Sequence, residues 1–281
     1  MKISGRTQLF AIIGDPVIHS LSPAMQNAWM QAAGIDAVYV PLGIAEEGAE
    51  RAFAGLRGLG LKGANVTTPH KERAARAADV HDVAVRKLHA ANVLTWENDG
   101  TLVAFNTDWA GVSGAFDEAT PDWRGKTQVA LVIGAGGAGR AAVWGLAEAG
   151  VANVVVCNRT FPGAEASARL VGGMAVPWAE LGEAFANADV IVNATSLGMI
   201  GKEQFDWPIE RAKQSAIVMD SVYAPRETAL LKAAKARGLK TIDGLGMLLH
   251  QGAMAFELWF DQRPDIAVGR AALEAAFAER T

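Results

Sequence analysis

Short apolar runs recur along the chain, separated by stretches in which apolar residues return every third or fourth position. Runs of four to eight residues read as strands, and the 3.6-residue period reads as helix. Strands are predicted near 9–13, 37–41, 63–66, 93–97 and 101–105, with helices near 22–33, 46–59, 74–78 and 83–90 between them. Ser22 stands at an N-cap position, with Pro23 as the first helical residue. Phe53, Leu56 and Leu59 share one side of the second helix. Thr67-Thr68-Pro69-His70-Lys71 reads as a loop feeding the third helix. Asn98-Asp99-Gly100 between two strand-length runs predicts a β-hairpin. About the first 105 residues thus form an α/β unit of their own.

Asn106-Thr107-Asp108 marks the exit from that unit. A helix over 109–119 and a polar linker over 120–126 lead into a second alternating series. Its strands are predicted near 128–133, 153–157, 173–176, 189–193, 216–220 and 240–242, with helices near 138–149, 163–171, 178–186 and 227–237. Right-handed crossovers between consecutive strands make a doubly wound parallel sheet. An apolar helix over 244–260 has no strand partner and is expected to return to the first unit. The expected architecture is α/β with two domains. The first is 1–108, completed by C-terminal helices within 245–281, and the second is a Rossmann-like domain over 109–244.

The most informative stretch is Gly134-Ala135-Gly136-Gly137-Ala138-Gly139, placed between a buried strand and a helix. Gly134 permits a tight turn, Gly136 lets the backbone approach a pyrophosphate, and Gly139 lets helix and strand pack closely. The helix N-terminus offers N–H groups and a positive dipole end to phosphates. A purely structural glycine turn is the alternative. Asn158-Arg159-Thr160 ends the next strand, where an NAD site would carry an acidic residue for the ribose 2′-OH. Arg159 instead offers a guanidinium fork that fits a 2′-phosphate. NADP is therefore favoured over NAD, which is left as a weaker cofactor; a solvated loop cation is the other reading of Arg159.

Composition narrows the class. Of 281 residues, 51% are hydrophobic and 20% charged, as in a globular chain with ample core. A net charge of −4 and a pI near 5.8 leave no footprint for a nucleic-acid or anionic-membrane partner. Cys157 is the only cysteine, so no intramolecular disulfide forms, which fits a reducing cytoplasm. The first residues lack the apolar core of a signal peptide. His250, Gln251 and Glu257 interrupt the apolar 244–260 stretch, which reads as a buried helix and not a membrane span. His19, His70, His81, His89 and His250 show no metal-ligand spacing, and no metal is expected. No heptad repeat marks an assembly, which leaves monomer and homodimer open.

Eight stretches together resemble the shikimate dehydrogenase family (shikimate/quinate dehydrogenase-like). They are Gly14-Asp-Pro-Val-Ile-His-Ser-Leu-Ser-Pro23, Asn65-Val-Thr-Thr-Pro-His-Lys71, Asn106-Thr-Asp-Trp-Ala-Gly111, Gly134-Ala-Gly-Gly-Ala-Gly139, Asn158-Arg-Thr160, Asn193-Ala-Thr-Ser-Leu-Gly-Met199, Asp220-Ser-Val-Tyr-Ala-Pro225 and Asp243-Gly-Leu-Gly-Met-Leu-Leu-His-Gln251. The resemblance implies NADP-dependent reduction of 3-dehydroshikimate to shikimate, a step of chorismate and aromatic amino acid biosynthesis. It implies Lys71 and Asp108 as a catalytic pair meeting beside the nicotinamide. Ser20, Ser22, Asn65, Thr67, Asn92, Tyr223 and Gln251 would hold the substrate. Gly134, Ala135, Gly136, Gly137, Ala138, Gly139, Asn158, Arg159, Thr160, Thr195, Ser196 and Gly244 would hold NADP.

The chemistry agrees with those roles. Reduction of a carbonyl builds negative charge on oxygen, which a positioned ammonium stabilises and protonates. A polyhydroxylated carboxylic acid needs many short polar contacts, and these hydroxyl and amide side chains donate and accept. Plainer readings stand beside them: Ser22 as a helix cap, Asn65 and Thr67 as turn residues, Asn92 capping a strand end, Tyr223 as core. Gln251 is either satisfied internally or faces a ligand.

Two departures from the family pattern matter. His89-Ala-Ala-Asn-Val93 stands where the family usually has Gly-Ala-Val-Asn-Thr, which leaves room for an altered substrate such as quinate or aminoshikimate. Phe161-Pro162-Gly163 follows Thr160, so no second cation comes before Arg169 and the 2′-phosphate clamp is one-armed. A reading from another class is a non-catalytic dinucleotide-responsive regulator, which Lys71 and Asp108 argue against.

Overall fold

Residues 3–279 are described by the computed structural model, apart from the Arg57 side chain. The outermost positions of the expected first domain, 1–2 and 280–281, lie outside the described residues. The chain divides into two units, one running to Thr107 and resuming at Gln251, the other spanning Asp108–His250. The sequence reading set these joins at 108/109 and 244/245.

The first unit contains β1 (Gln8–Gly14), α1 (Ser22–Ala32), β2 (Ala37–Gly43), α2 (Ala49–Gly55), β3 (Leu61–Val66), α3 (Lys71–Ala77), β4 (Val80–His81), α4 (Val83–Leu88), β5 (Val93–Trp96) and β6 (Leu102–Phe105). Its mixed sheet has the order β2-β1-β3-β5-β6-β4. β1 pairs in parallel with β2 and β3, while β5 runs antiparallel to β3 and β6. The period of two sends Ala11 and Ile13 to one face, into a core with Phe53, Leu56, Leu61 and Leu94. Phe10 points to the other face.

That second face is covered from the far end of the chain, by the part of α11 (Gly244–Phe260) from Gln251 onward and by α12 (Ile266–Ala278). The Phe10 ring lies 5.1 Å from Trp259 and 4.9 Å from Phe260, centroid to centroid. Trp259 Nε1 donates to Leu94 O (3.2 Å), Trp29 Nε1 to Asp265 O (2.7 Å) and Gln26 Nε2 to Gly252 O (3.0 Å).

The second unit holds α5 (Asp108–Ala119), α6 (Trp123–Lys126), β7 (Val129–Ile133), α7 (Gly137–Glu148), β8 (Asn153–Cys157), α8 (Phe161–Arg169), β9 (Met174–Val176), α9 (Leu181–Asn187), β10 (Val190–Asn193), β11 (Ile217–Asp220), α10 (Ala229–Ala236) and β12 (Lys240–Ile242). Every pairing is parallel, in the order β12-β11-β10-β7-β8-β9. Both faces are buried, which is why these strands read as unbroken apolar runs. Ala130 and Val132 join one core with Phe116, Trp123 and Val143; Leu131 and Ile133 join the other with Phe185, Trp207 and Leu230. The strand order reverses between β7 and β10, and ligands of such sheets bind at the carboxyl ends of the strands there.

Several local expectations change. Ser22 is not the N-cap of α1: the helix includes it, and Leu21 before it already has right-handed dihedrals (φ −92, ψ −9). The Ser22 N–H donates instead to Ser20 Oγ at 3.2 Å. The helix expected over 46–59 is shorter, because Gly48 turns at φ 84 before α2 and Leu56–Leu59 tightens into a 3₁₀ turn. Lys71 is not in a loop but opens α3. The polar linker carries α6, whose Trp123 is fully buried against Phe116 at 4.8 Å. The two-residue β4, too short for any pattern to announce, edges the first sheet beside β6.

Gly63 lies beneath the Trp259 indole, and a Cβ there would sit 2.4 Å from Nε1 and 2.7 Å from Cδ1. A rigid ring packed on a sheet cannot yield cheaply. Gly63→Ala should therefore cost about 1–3 kcal/mol, read from the urea midpoint. Gly55→Ala, with nothing within 4 Å of the added carbon, should leave stability unchanged or slightly raised.

Candidate active site

In the first unit, buried amides and hydroxyls gather at the ends of β3 and β5. Asn65 Oδ1 accepts from the Tyr39 hydroxyl at 2.7 Å, and Asn65 Nδ2 donates to Asn92 O at 3.2 Å. Asn92 Nδ2 donates to Thr107 Oγ1 (3.0 Å) and Gln251 Oε1 (3.2 Å), while its Oδ1 accepts from Thr107 N (2.7 Å). Lys71 joins this group through its backbone, its carbonyl accepting from Ala91 N at 2.9 Å. Ser22 is buried and hydrogen-bonds the Tyr39 hydroxyl. Burial pushes the Tyr39 phenol well above its ordinary range, against the lowering effect of Ser22. Thr67 docks by its methyl group on Gly14, where a Cβ would meet it at 2.4 Å.

Asn65, Asn92 and Gln251 thus form one connected polar group, with Ser22 attached through Tyr39. Tyr39 and Thr107 belong to it and were not singled out from sequence. A buried tyrosine hydroxyl requires a partner, and a tyrosine within an apolar strand is the one signal that could have found it. His70 is fully buried, its Nε2 2.6 Å from Ile44 O, which makes Nε2–H the donor and the ring a core element. His89 ends α4 in the left-handed region (φ 53, ψ 30), a turn that glycine adopts most readily and that a residue with a side chain makes here.

In the second unit the glycine turn lies where β7 meets α7. Gly134 has φ 111, and a Cβ on it would lie 2.9 Å from Ala194 O and 2.9 Å from Thr195 Cγ2. At Gly139 an added Cβ would fall 2.1 Å from Gly134 O, so helix and strand touch backbone to backbone. Around Gly136 and Gly137 there is open space, and the Gly136 N-cap carries no side-chain cap bond. The first-turn N–H groups of α7 are therefore left uncapped by any side chain, beside open space at Gly136 and Gly137, an arrangement open to an anionic group.

Asn158 Nδ2 donates to Thr160 O (3.0 Å) and Thr160 Oγ1 (2.8 Å), shaping the turn that carries Arg159. Arg159 Nη1 bonds Glu203 Oε2 at 2.9 Å. Thr195 Oγ1 donates to Asn193 Oδ1 (2.7 Å) and accepts from Leu197 N (3.1 Å), so it holds its own loop, with Ser196 exposed beside it. Gly244 packs where a Cβ would meet Ser221 O at 2.4 Å. Asp108 is the buried first residue of α5, and Tyr223 is half-buried in the segment after β11. Among the described residues no group of three or more His, Cys, Asp or Glu is placed to hold a metal ion, and no helix is long and apolar enough to cross a membrane.

Behind the loops lies a buried carboxylate that sequence reading passed over. Asp220 Oδ1 accepts from Asn193 Nδ2 (3.0 Å) and Val222 N (3.0 Å), and Oδ2 accepts from Thr228 Oγ1 (2.6 Å). One side chain thereby ties the end of β10, the segment after β11 and the N-cap of α10. Burial raises its pKa from 3.8 to about 6, against the lowering effect of those three donors.

A doubly wound sheet with a glycine turn at its switch point, in a chain with a second α/β unit rich in buried amides, fits the class of dinucleotide-dependent oxidoreductases. The comparisons narrow it. Residues 12–94 match the shikimate dehydrogenase substrate binding domain, residues 118–246 the shikimate / quinate 5-dehydrogenase model, and residues 244–274 the shikimate 5-dehydrogenase C-terminal domain. The chain is 43% identical to the shikimate dehydrogenase (NADP(+)) of Rhodospirillum rubrum, over 94% of this chain and 95% of that one. The shikimate dehydrogenase structure from Aquifex aeolicus superposes with a TM-score of 0.89 at 37% identity, over 97% and 99% of the two chains. The Thermus thermophilus enzyme in complex with NADP(H) and shikimate gives 0.85 at 36%, over 96% and 100%. The chain belongs to the shikimate dehydrogenase family.

The Asp220 environment makes a pH prediction. A pKa raised from 3.8 to about 6 on folding corresponds to roughly 3 kcal/mol. The folded state binds this proton more tightly, so the contribution is full below the unfolded pKa, near 4, and is lost as pH rises through about 6. Asp220→Asn keeps an acceptor for Asn193 and Val222 and has no proton to lose. Urea unfolding from pH 4 to 7 should show the variant gaining on the parent as pH rises; a constant difference would mean that Asp220 does not titrate in this range.

Proposed function

We propose that this chain reduces 3-dehydroshikimate to shikimate with NADPH, and runs the reverse oxidation with NADP. The observation that carries the reading is the connected Asn65–Asn92–Gln251 group in the unit that also presents Lys71, in a chain whose family is named for that reaction. The glycine turn of Gly134 to Gly139 holds the pyrophosphate, Arg159 the 2′-phosphate, and Asn158, Thr160, Thr195, Ser196 and Gly244 shape the surrounding loops. When bound, the dinucleotide supplies the hydride that converts the substrate carbonyl carbon to a carbinol.

Every other task falls to side chains. Ser20, Ser22, Asn65, Thr67, Asn92, Tyr223 and Gln251 hold the ring hydroxyls and carboxylate. The Lys71 ammonium stabilises the negative charge that grows on the carbonyl oxygen and transfers one proton to it. The Asp108 carboxylate orients that ammonium. Supporting this reading, each amide on the substrate side is fixed by a neighbour, which sets its acceptors and donors before the ligand arrives. The single cysteine, buried at the end of β8, supports work in the cytoplasm.

Lys71→Ala and Asp108→Ala should each cut kcat about 10²-fold or more with circular dichroism unchanged; parent-like turnover in either would remove it from the catalytic pair. Steady-state kinetics with shikimate, quinate and aminoshikimate should give the highest kcat/KM for shikimate with NADP. Faster turnover of either analogue moves the chain to that branch of the family, and cofactor binding without turnover of any of the three makes it a regulator.

A further inference from the structure

Arg159 does not wait in isolation for a 2′-phosphate. Its Nη1 lies 2.9 Å from Glu203 Oε2, a partner 44 residues on. Two glycines in the left-handed region, Gly198 (φ 84) and Gly201 (φ 75), bend the segment after β10, and Gly198 N donates to Glu203 O at 2.9 Å. The carboxylate is thus returned by its own backbone to the guanidinium. The two side chains are 65% and 62% exposed, so the pair is a weak one that a dianion can displace.

We infer that Glu203 is a specificity-determining residue that weakens the grip on the cofactor 2′-phosphate. The inference rests on the reading that Arg159 receives that phosphate. Two effects act together. Glu203 occupies one prong of the guanidinium fork, which must be released before a phosphate can take both. It also sets a negative charge beside the place where the phosphate dianion would sit, and like charges at short range repel even when partly screened. The segment after Thr160 brings no second cation before Arg169, since Phe161-Pro162-Gly163 follows. NAD has only a ribose hydroxyl there and loses little to the carboxylate. The chain therefore discriminates between the two cofactors less than an arginine alone would.

The test is equilibrium binding without turnover. Dissociation constants for NADP, NAD and adenosine 2′,5′-bisphosphate are measured by calorimetry for the parent, Glu203→Gln, Glu203→Lys and Arg159→Ala. Glu203→Gln should tighten NADP and the bisphosphate about three- to tenfold and leave NAD unchanged, because an exposed pair and one nearby charge are worth factors of this size. Glu203→Lys should tighten both further, and the gains should shrink as salt is raised. Unchanged or weaker NADP binding in Glu203→Gln overturns the inference, as does equal tightening of NAD. Arg159→Ala tests the underlying reading separately: NADP binding should weaken more than tenfold, and if it does not, Arg159 is not the phosphate's partner, whatever Glu203 does.

Discussion

A primary amide sealed inside protein must find partners for both of its N–H bonds and for its oxygen, or the burial costs more than the contact returns. Asn92 draws partners from distant parts of the chain. Thr107 supplies an N–H and a hydroxyl from the exit of the first unit, and Gln251 supplies an oxygen from the returning helix α11. Its backbone closes the ladder on both sides, to Val66 and Phe105. The remaining candidate substrate groups follow from it: Asn65 leans on its carbonyl, Tyr39 on Asn65, and Ser22 on Tyr39. A side chain held at three points has few rotamers left, which is what a stereospecific site asks of its polar groups.

The second unit repeats the logic with another asparagine. Asn193 ends β10, accepts from the backbone and hydroxyl of Thr195, and donates to Asp220. The turn after β10 is therefore fixed from below by a buried pair, and Gly134 passes directly against its backbone at Ala194. The contact of Gly139 with Gly134 pulls α7 down onto β7 at the same point. The glycine turn is thus shaped by close backbone approach and hydrogen bonding rather than by apolar side chains.

Much of this was legible in sequence wherever the cause is local. The parallel strands announce themselves because burial on both faces forces unbroken apolar runs, and the Asn98-Asp99-Gly100 turn because its backbone conformation suits few residues. Local pattern failed where a distant partner decides the outcome. Trp123 lies in a polar stretch, yet Phe116 and the sheet bury it. Ser22 carries the signature of a cap, but the helix already begins with it and its N–H donates to Ser20 Oγ. Tyr39 and Asn65 are 26 residues apart, and Asn92 and Gln251 are 159 apart, so no window along the chain displays either pair. Asp220 was read only as part of a family motif, since burial and its three donors exist only in the fold.

The first unit is assembled from two lengths of chain with the whole of the second between them. Trp29 finds its acceptor at Asp265 and Gln26 at Gly252, so the covering of the Phe10 face cannot be completed until the last two helices have left the ribosome. The inserted parallel-sheet unit, continuous in sequence, is free to fold first. During synthesis only α1 shields the Phe10 side of the first sheet until the stretch from Gln251 onward is made, so the first unit reaches its full core late although its strands are made early.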